Sequence, residues 1–274
     1  MERFINKVFN MDNLQLMKHI PDNSVDFIYC DILYGTGRDF QDYEDIRANK
    51  YEVKEFYTPR IKEMQRILSH KGVLALQMDN NINHWIRCIL DDIFGYDKFR
   101  DNIIWDKGFR GTEKNKGFQQ SYENILIYSK DEDYCWNNVY GDYSKNSLKR
   151  YNKKDEEGRQ YALIKRKRTD GSVYYGKSYL NTKGKKMDNI IRNVKTMAST
   201  DRERVSYPTQ KPKQLIKILI EAYTNEDGIV ADFFCGSGTT LVAAKELGRR
   251  YVACDIGDRA VQITKVRLNN IIQN

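Results

Sequence analysis

The stretch IVADFFCGSGTTLVAAKELGRRYVACD, residues 229–255, decides the fold. A short apolar run reaches Asp232, a turn containing Gly236 and Gly238 follows, and helix-forming residues open at Thr239 and Thr240. A second apolar run, Tyr251 to Cys254, ends on Asp255. Strand, glycine turn, helix and strand in this order imply a parallel sheet that binds ligands at the carboxyl ends of its strands. The two glycines let the backbone approach a ligand where a Cβ would block it. An acid closing the second strand can hold two ribose hydroxyls. The third glycine of a dinucleotide fingerprint is missing, and no GxxxxGK[ST] phosphate loop occurs. A GxG turn alone is equally a plain strand-to-helix connection; the acids on both sides of it make the pattern more specific.

Working outward, Leu14, Leu16, Met17 and Ile20 mark a helix, Pro21-Asp22-Asn23 breaks it, and Val25 to Tyr29 begins a strand that runs into Asp31. A helix is expected over 51–69, stopped by Gly72, and a buried strand over 73–78. Another helix follows over 85–95, ending on Gly95, with strands over 101–105 and 123–130. The segment between those strands, 106–121, is rich in Gly and Lys and reads as a mobile loop. From about 131 to 200 the periodicity fades, apart from a hairpin turning at Asp170-Gly171. Order returns with a helix over 211–228, ended by Gly228. The fold class is α/β, Rossmann-like, a mostly parallel sheet with helices on both faces and an inserted basic region.

The 274 residues suit one large α/β domain or a core with an insert. A composition of 40% hydrophobic and 31% charged residues is that of a soluble, ordered protein. No apolar stretch approaches the ~20 residues needed to cross a bilayer, and the first ten residues lack the apolar core of a secretory signal. Five scattered cysteines form no CxxC pair, and no metal-like His spacing occurs. This argues against a disulfide framework or zinc site and for a reducing cytoplasm. The net charge of +8 is concentrated: residues 144–196 carry 16 Lys/Arg against 5 Asp/Glu. Such a segment is either a solvated surface or one that faces phosphates.

Three motifs occur in one consistent order. DFFCGSGTT (232–240) resembles the S-adenosylmethionine motif of DNA amino-methyltransferases. YPTQKP (207–212) resembles the segment preceding it in those enzymes, and DILY (31–34) resembles their catalytic motif, usually Asp-Pro-Pro-Tyr. Catalytic motif, basic middle and cofactor motif in that order correspond to the permuted β class. The resemblance covers roughly 1–130 and 190–270. It implies a catalytic core formed by 1–130 and 196–274, and a DNA target-recognition region over 131–195. The implied cofactor is S-adenosyl-L-methionine and the implied substrate is double-stranded DNA.

The resemblance also assigns chemistry. An exocyclic amine is a weak nucleophile because its lone pair is delocalised into the ring. Acceptors for its N–H hydrogens turn that lone pair toward the methyl donor. Asp31 and the carbonyl of Ile32 would be the acceptors, and Tyr34 would stack on a base swung out of the duplex. Ile32 and Leu33 stand where the family has prolines, so rigidity there rests on something other than a fixed φ, with packing of these two side chains as the alternative. Adenine N6 and cytosine N4 both fit such a site. Cofactor contacts implied are Asp12, Asp232, Phe234, Cys235, Gly236, Ser237, Gly238, Thr239, Thr240 and Asp255, with Thr209, Gln210 and Lys211 on the methionine side. Thr36 and Gly37 are expected to shape the same region.

Expected DNA contacts are Lys107, Arg110, Lys114 and Lys116 in the loop, and Lys165, Arg166, Lys167 and Arg168 in the hairpin. Further partners implied are a cognate restriction endonuclease or companion methyltransferase and a second copy of the chain, in a bacterial or phage-encoded cytoplasmic system. Rival readings are an RNA methyltransferase of the same fold and a non-catalytic DNA-binding relative.

Overall fold

Three neighbouring parallel strands end side by side on aspartates, and the rest of the fold serves to bring them there. The computed structural model describes residues 1–37, 39–40, 43–108, 116–198, 200–205 and 207–271. Its main sheet contains, among the described residues, strands β1 (Lys7–Asn10), β2 (Val25–Asp31), β3 (Leu68–Met78), β4 (Phe99–Asp106), β5 (Tyr122–Ser129), β6 (Ile190–Ile191), β7 (Ile229–Asp232) and β8 (Arg250–Asp255). Their spatial order is β1-β8-β7-β2-β3-β5-β4-β6. All neighbours are parallel except β5, which runs antiparallel to both β3 and β4.

The helices that flank the sheet are α1 (Asn13–His19), α2 (Lys50–Ile67), α3 (Asn83–Phe94), α4 (Lys213–Tyr223), α5 (Thr239–Glu246) and α6 (Asp258–Asn269). Side chains alternate across a strand, so each strand feeds two cores. From β2, Ile28 and Cys30 join the core made with α1, α2 and α3. Phe27 points the other way and stacks on Tyr223 of α4, ring centroids 5.9 Å apart. Helix α2 buries Val53, Tyr57, Ile61, Met64 and Ile67, a spacing of three and four that keeps one face on the sheet.

The connection β2–α2–β3 leads to one side of the sheet, while β7–α5–β8 leads to the other. Strands β2 and β7 pair at Phe27–Val230 and Ile28–Ala231, so their carboxyl ends flank the point where the winding reverses. A crevice opens at such a switch point, and there an open α/β sheet binds its ligands.

Three element boundaries differ from the sequence reading. Gly72 does not stop α2, which ends at Ile67; it lies in a bulge within β3, where the register against β2 jumps from Val25–Leu68 to Phe27–Val73. A Cβ on Gly72 would stand 2.8 Å from the Ser69 carbonyl oxygen. Helix α4 begins after Pro212 and ends at Tyr223 instead of Gly228, because Thr224 turns extended and its hydroxyl donates to the Ile220 carbonyl. Of the expected loop 106–121, residues 109–115 lie outside those described.

Asn138–Asp188 forms a second compact unit; residues 131–137 and 189–195 belong to the first. Ile190 and Ile191 pair with Ile104 and Trp105 as the edge of the main sheet. The second unit carries the expected hairpin, Gln160–Lys167 against Val173–Tyr179. Its turn is closed by Arg168 N–H on the Ser172 carbonyl and by Ser172 N–H on the Asp170 carboxylate, both at 2.8 Å. Lys165, Arg166, Lys167 and Arg168 are all exposed.

Candidate active site

A cavity of about 400 Å³ opens at the switch point, within the size range of small-molecule sites. Asp31, Asp232 and Asp255, the last residues of β2, β7 and β8, all line it. So do Ile32, Tyr34, Asp12, Phe234, Cys235, Gly236, Ser237, Thr239, Thr240, Thr209, Gln210 and Lys211. Every expected catalytic and cofactor residue except Gly238 therefore meets in one cavity.

The glycine-turn corner is built mainly on backbone. Gly236 and Gly238 take φ of +48° and +74°. A Cβ on Gly236 would stand 3.1 Å from the Tyr207 ring, and one on Gly238 only 2.4 Å from Thr264. Gly238 thus acts from behind the cavity, packing helix α6 against the turn. Asp255 accepts the backbone N–H groups of Gly236 at 2.8 Å and Gly257 at 2.9 Å. These two bonds orient the carboxylate at the mouth of the turn. Asp232 accepts the Phe234 N–H and the Thr240 hydroxyl. Burial, helped by the neighbouring carboxylates of Asp31 and Asp255, pushes Asp232 up to about 7.

Asp12 caps α1 through the Gln15 N–H and pairs with Arg60 at 2.8 Å. The same Arg60 guanidinium lies 3.7 Å from the Phe56 ring centroid. Phe56 and Phe234 supply apolar wall beside these charges. Gln210 braces its own loop, accepting from Val205 N–H and donating to the Glu203 carbonyl. A glycine cradle that a Cβ would fill, an aromatic wall and two anchored acids fit an adenosine-containing group such as S-adenosylmethionine.

The other corner is a network of charged side chains. The Tyr34 hydroxyl lies 2.9 Å from a carboxylate oxygen of Asp31 and of Glu123, and its one hydrogen is donated to one of the two at a time. Lys211 Nζ sits 2.5 Å from Asp31, 2.8 Å from the Tyr34 hydroxyl and 3.7 Å from Glu123. Glu123 also accepts from Gln77 and Lys107, both at 2.6 Å, and Gln77 is itself fixed by the Tyr29 hydroxyl at 2.7 Å. Burial acts to raise the Asp31 carboxyl; Lys211 opposes this and the Glu123 charge adds to it, leaving Asp31 above the ordinary aspartate range. Burial also works against the charge on Glu123, but the Lys211 and Lys107 ammoniums outweigh it and hold Glu123 below its usual range. Burial and the two carboxylates push the Tyr34 phenol up, so it is a hydrogen donor at any working pH.

The loop without prolines is held by other means. Ile32 is buried in the core, and its N–H donates to the Gln77 carbonyl at 3.0 Å, a bond no proline could make. The Tyr57 hydroxyl donates to the Leu33 carbonyl at 3.2 Å. Asp45 then fixes the following turn, accepting from Gly35 N–H and from both the N–H and the hydroxyl of Thr36. Among the described residues none donates to the Ile32 carbonyl.

Lys211 lines the cavity and its buried ammonium pairs with Asp31 and lies near Glu123. Lys107, expected on DNA, pairs with Glu123 at 2.6 Å. Lys116 is exposed, and Arg110 and Lys114 lie outside the described residues. Sequence reasoning missed Glu123, Gln77, Asp45, Arg60 and Arg267, the last of which donates to the Ser237 carbonyl at 2.6 Å. One signal was available: Gln77 is the lone amide in an apolar run and is fully buried.

The chain matches the DNA methylase model of the N6/N4 methyltransferase type over residues 25–266. Type II methyltransferase M.HpaI of Haemophilus parainfluenzae is 26% identical over 258 residues, covering 94% of this chain and 72% of the relative. Among solved structures, the cytosine-N4-specific PvuII DNA methyltransferase shares the fold with a TM-score of 0.65 at 13% identity, covering 97% of this chain and 88% of that one. The SAM complex of M1.HpyAVI does so with a TM-score of 0.58 at 20% identity, covering 96% and 98%. With a matching family model over most of its length and the glycine turn and Asp31 in one cavity, the chain belongs to the DNA methylase family, the S-adenosylmethionine-dependent enzymes that methylate exocyclic amines of adenine and cytosine in DNA.

Proposed function

We propose that Asp31, Ile32 and Tyr34 carry methyl transfer to the exocyclic amine of an adenine or cytosine flipped out of duplex DNA. The observation that supports this most is the position of Asp31. It ends β2 at the switch point and shares one cavity with the glycine turn. S-adenosylmethionine, when bound, supplies an electrophilic methyl on a sulfonium. Asp232, Phe234, Gly236 and Asp255 would hold it, with Asp12 near its adenine. Asp31 accepts one N–H of the target amine and the Ile32 carbonyl accepts the other, which directs the nitrogen lone pair at the methyl carbon. The methylated amine sheds one proton. A carboxyl already raised above its ordinary range is suited to hold that proton at Asp31. Tyr34 lines the cavity with its hydroxyl tied at both acids, which fixes the ring for a base to stack on.

The exposed Lys165–Arg168 hairpin supports a DNA-facing role for the second unit, since Lys/Arg on phosphates dominate such binding. A restriction endonuclease that cuts the unmethylated site is the proposed functional partner. The test uses labelled S-adenosylmethionine, unmethylated genomic DNA and nucleoside analysis by mass spectrometry, with RNA in parallel. Label is expected in N6-methyladenine or N4-methylcytosine of DNA. Asp31→Ala is expected to lower the rate on the order of 10²–10⁴-fold while cofactor binding persists. Label in RNA alone, or none in either, refutes the reading.

A further inference from the structure

We propose that Glu123 is a second seat for the Lys211 ammonium, onto which it moves when the target amine takes its place on Asp31. The inference rests on the functional reading above. Of the two oxygens of Asp31, Oδ2 is taken by Lys211 and Oδ1 faces the Tyr34 hydroxyl, whose one hydrogen is shared with Glu123. The ammonium therefore stands where the incoming amine must donate. It cannot simply be expelled, because Lys211 is buried and an unpaired buried ammonium is strongly disfavoured.

Glu123 offers the alternative. Its near oxygen is 3.7 Å from Lys211 Nζ, against 2.5 Å for Asp31. A shift of about 1 Å brings the ammonium within hydrogen-bond range of Glu123. The seat is rigid. Gln77 donates to that same oxygen, Lys107 to the other, and the backbone lies in β5 opposite Trp105 of β4. Two carboxylates and two ammoniums balance, so the shift moves charge within a neutral cluster instead of creating net charge. Glu123 and Lys211 are positioning residues: they act through Asp31, freeing its oxygen without stranding a charge.

The full chain is assayed for methyl transfer to duplex DNA, with cofactor binding and thermal midpoint as controls. Glu123→Gln is expected to lower kcat by at least roughly tenfold, with cofactor affinity and KM for DNA little changed. Lys211→Met removes the group that needs a seat. The double variant Glu123→Gln/Lys211→Met is therefore expected to be no slower than Lys211→Met alone. A merely structural Glu123 predicts instead that the two losses multiply. Should Glu123→Gln not fold, Glu123→Asp withdraws the carboxylate by one methylene, and its loss must likewise vanish beside Lys211→Met. Wild-type kcat in the Glu123 variants, or multiplying losses, overturns the proposal. A wild-type chain that labels no DNA overturns the functional reading itself, which is a different result.

Discussion

The two corners of the cavity are built on opposite plans. Around Gly236 and Asp255 the partners are mostly backbone groups within a few residues, or at the end of the next strand: Asp255 to Gly236 and Gly257, Asp232 to Phe234 and Thr240. Around Asp31 the partners are side chains from five separate segments: Tyr34, Gln77, Lys107, Glu123 and Lys211. The first plan fixes a shape, suited to a ligand that is always the same. The second plan fixes a charge balance, suited to a site where a neutral amine must arrive and a proton must leave. Backbone geometry tolerates little substitution, whereas a charge network tolerates rearrangement as long as it stays neutral.

The sharpest way to break the contrast is to find a charge that the backbone corner does not balance. Asp232 is one. It is buried, no cation pairs with it among the described residues, and it is pushed from 3.8 to about 7. An acid whose folded pKa is raised favours folding only while protonated. Its contribution is full below about pH 4 and is lost as pH rises through about 7. That difference amounts to at most about 4 kcal/mol. Asp232→Asn keeps the shape and removes the charge. The cofactor-free variant should therefore melt higher than wild type at pH 8 and no higher at pH 4. A thermal midpoint equally displaced at both pH values would show that shape, not charge, matters at this position.

The backbone plan itself is tested at Gly238. It lies outside the cavity, so a substitution there should act on cofactor affinity only through shape. Alanine would need φ of +74° and would put its Cβ 2.4 Å from Thr264. Gly238→Ala should cost about 1–3 kcal/mol in denaturant unfolding. Thr264→Ser, which removes the methyl Cγ2 that crowds this spot, should recover part of that loss in the double variant. Failure to recover any would place the cost in φ strain or in the Thr264 Oγ1 and Cβ atoms, 2.5 and 2.9 Å away, which serine retains.

The same contrast explains what could be read from the chain. A left-handed turn forces glycine at fixed offsets from an acid and a strand, so the 232–240 motif and Asp255 could be placed from spacing. Helical and strand periodicities similarly placed α1, α3, β2 and β5 within a few residues. Boundaries failed where a long-range partner overrode a local signal: Gly72 became a bulge because β2 pairs on both sides of it, and Pro212 rather than Lys211 set the start of α4. Glu123 as a site residue, and the pairing of Lys107 with it, were illegible because nothing local distinguishes a lysine that meets a buried glutamate from one that meets solvent. Only the antiparallel pairing of β4 and β5, which sets Glu123 opposite Trp105 two residues from Lys107, brings them together.

The smallest expected effect concerns Ile32, which stands in DILY where the resemblance led to an expected proline. If prolines only supplied rigidity, Ile32→Pro should stabilise the loop by restricting its unfolded states. Here the Ile32 N–H already extends the β2–β3 ladder to the Gln77 carbonyl, and the side chain is 2% exposed in the core. Proline deletes that donor, strands the Gln77 carbonyl and shortens the buried side chain. A loss of about 1–2 kcal/mol in unfolding free energy is therefore expected. The carbonyl of residue 32 persists in the variant, so kcat should change less than stability does. Unfolding and turnover measured on the same preparation separate the outcomes. A stabilised variant would show that the ladder bond contributes nothing and that Ile32 is a mere substitute for proline. A destabilised but active one would show that strand pairing at Ile32 holds Asp31 in place in this chain.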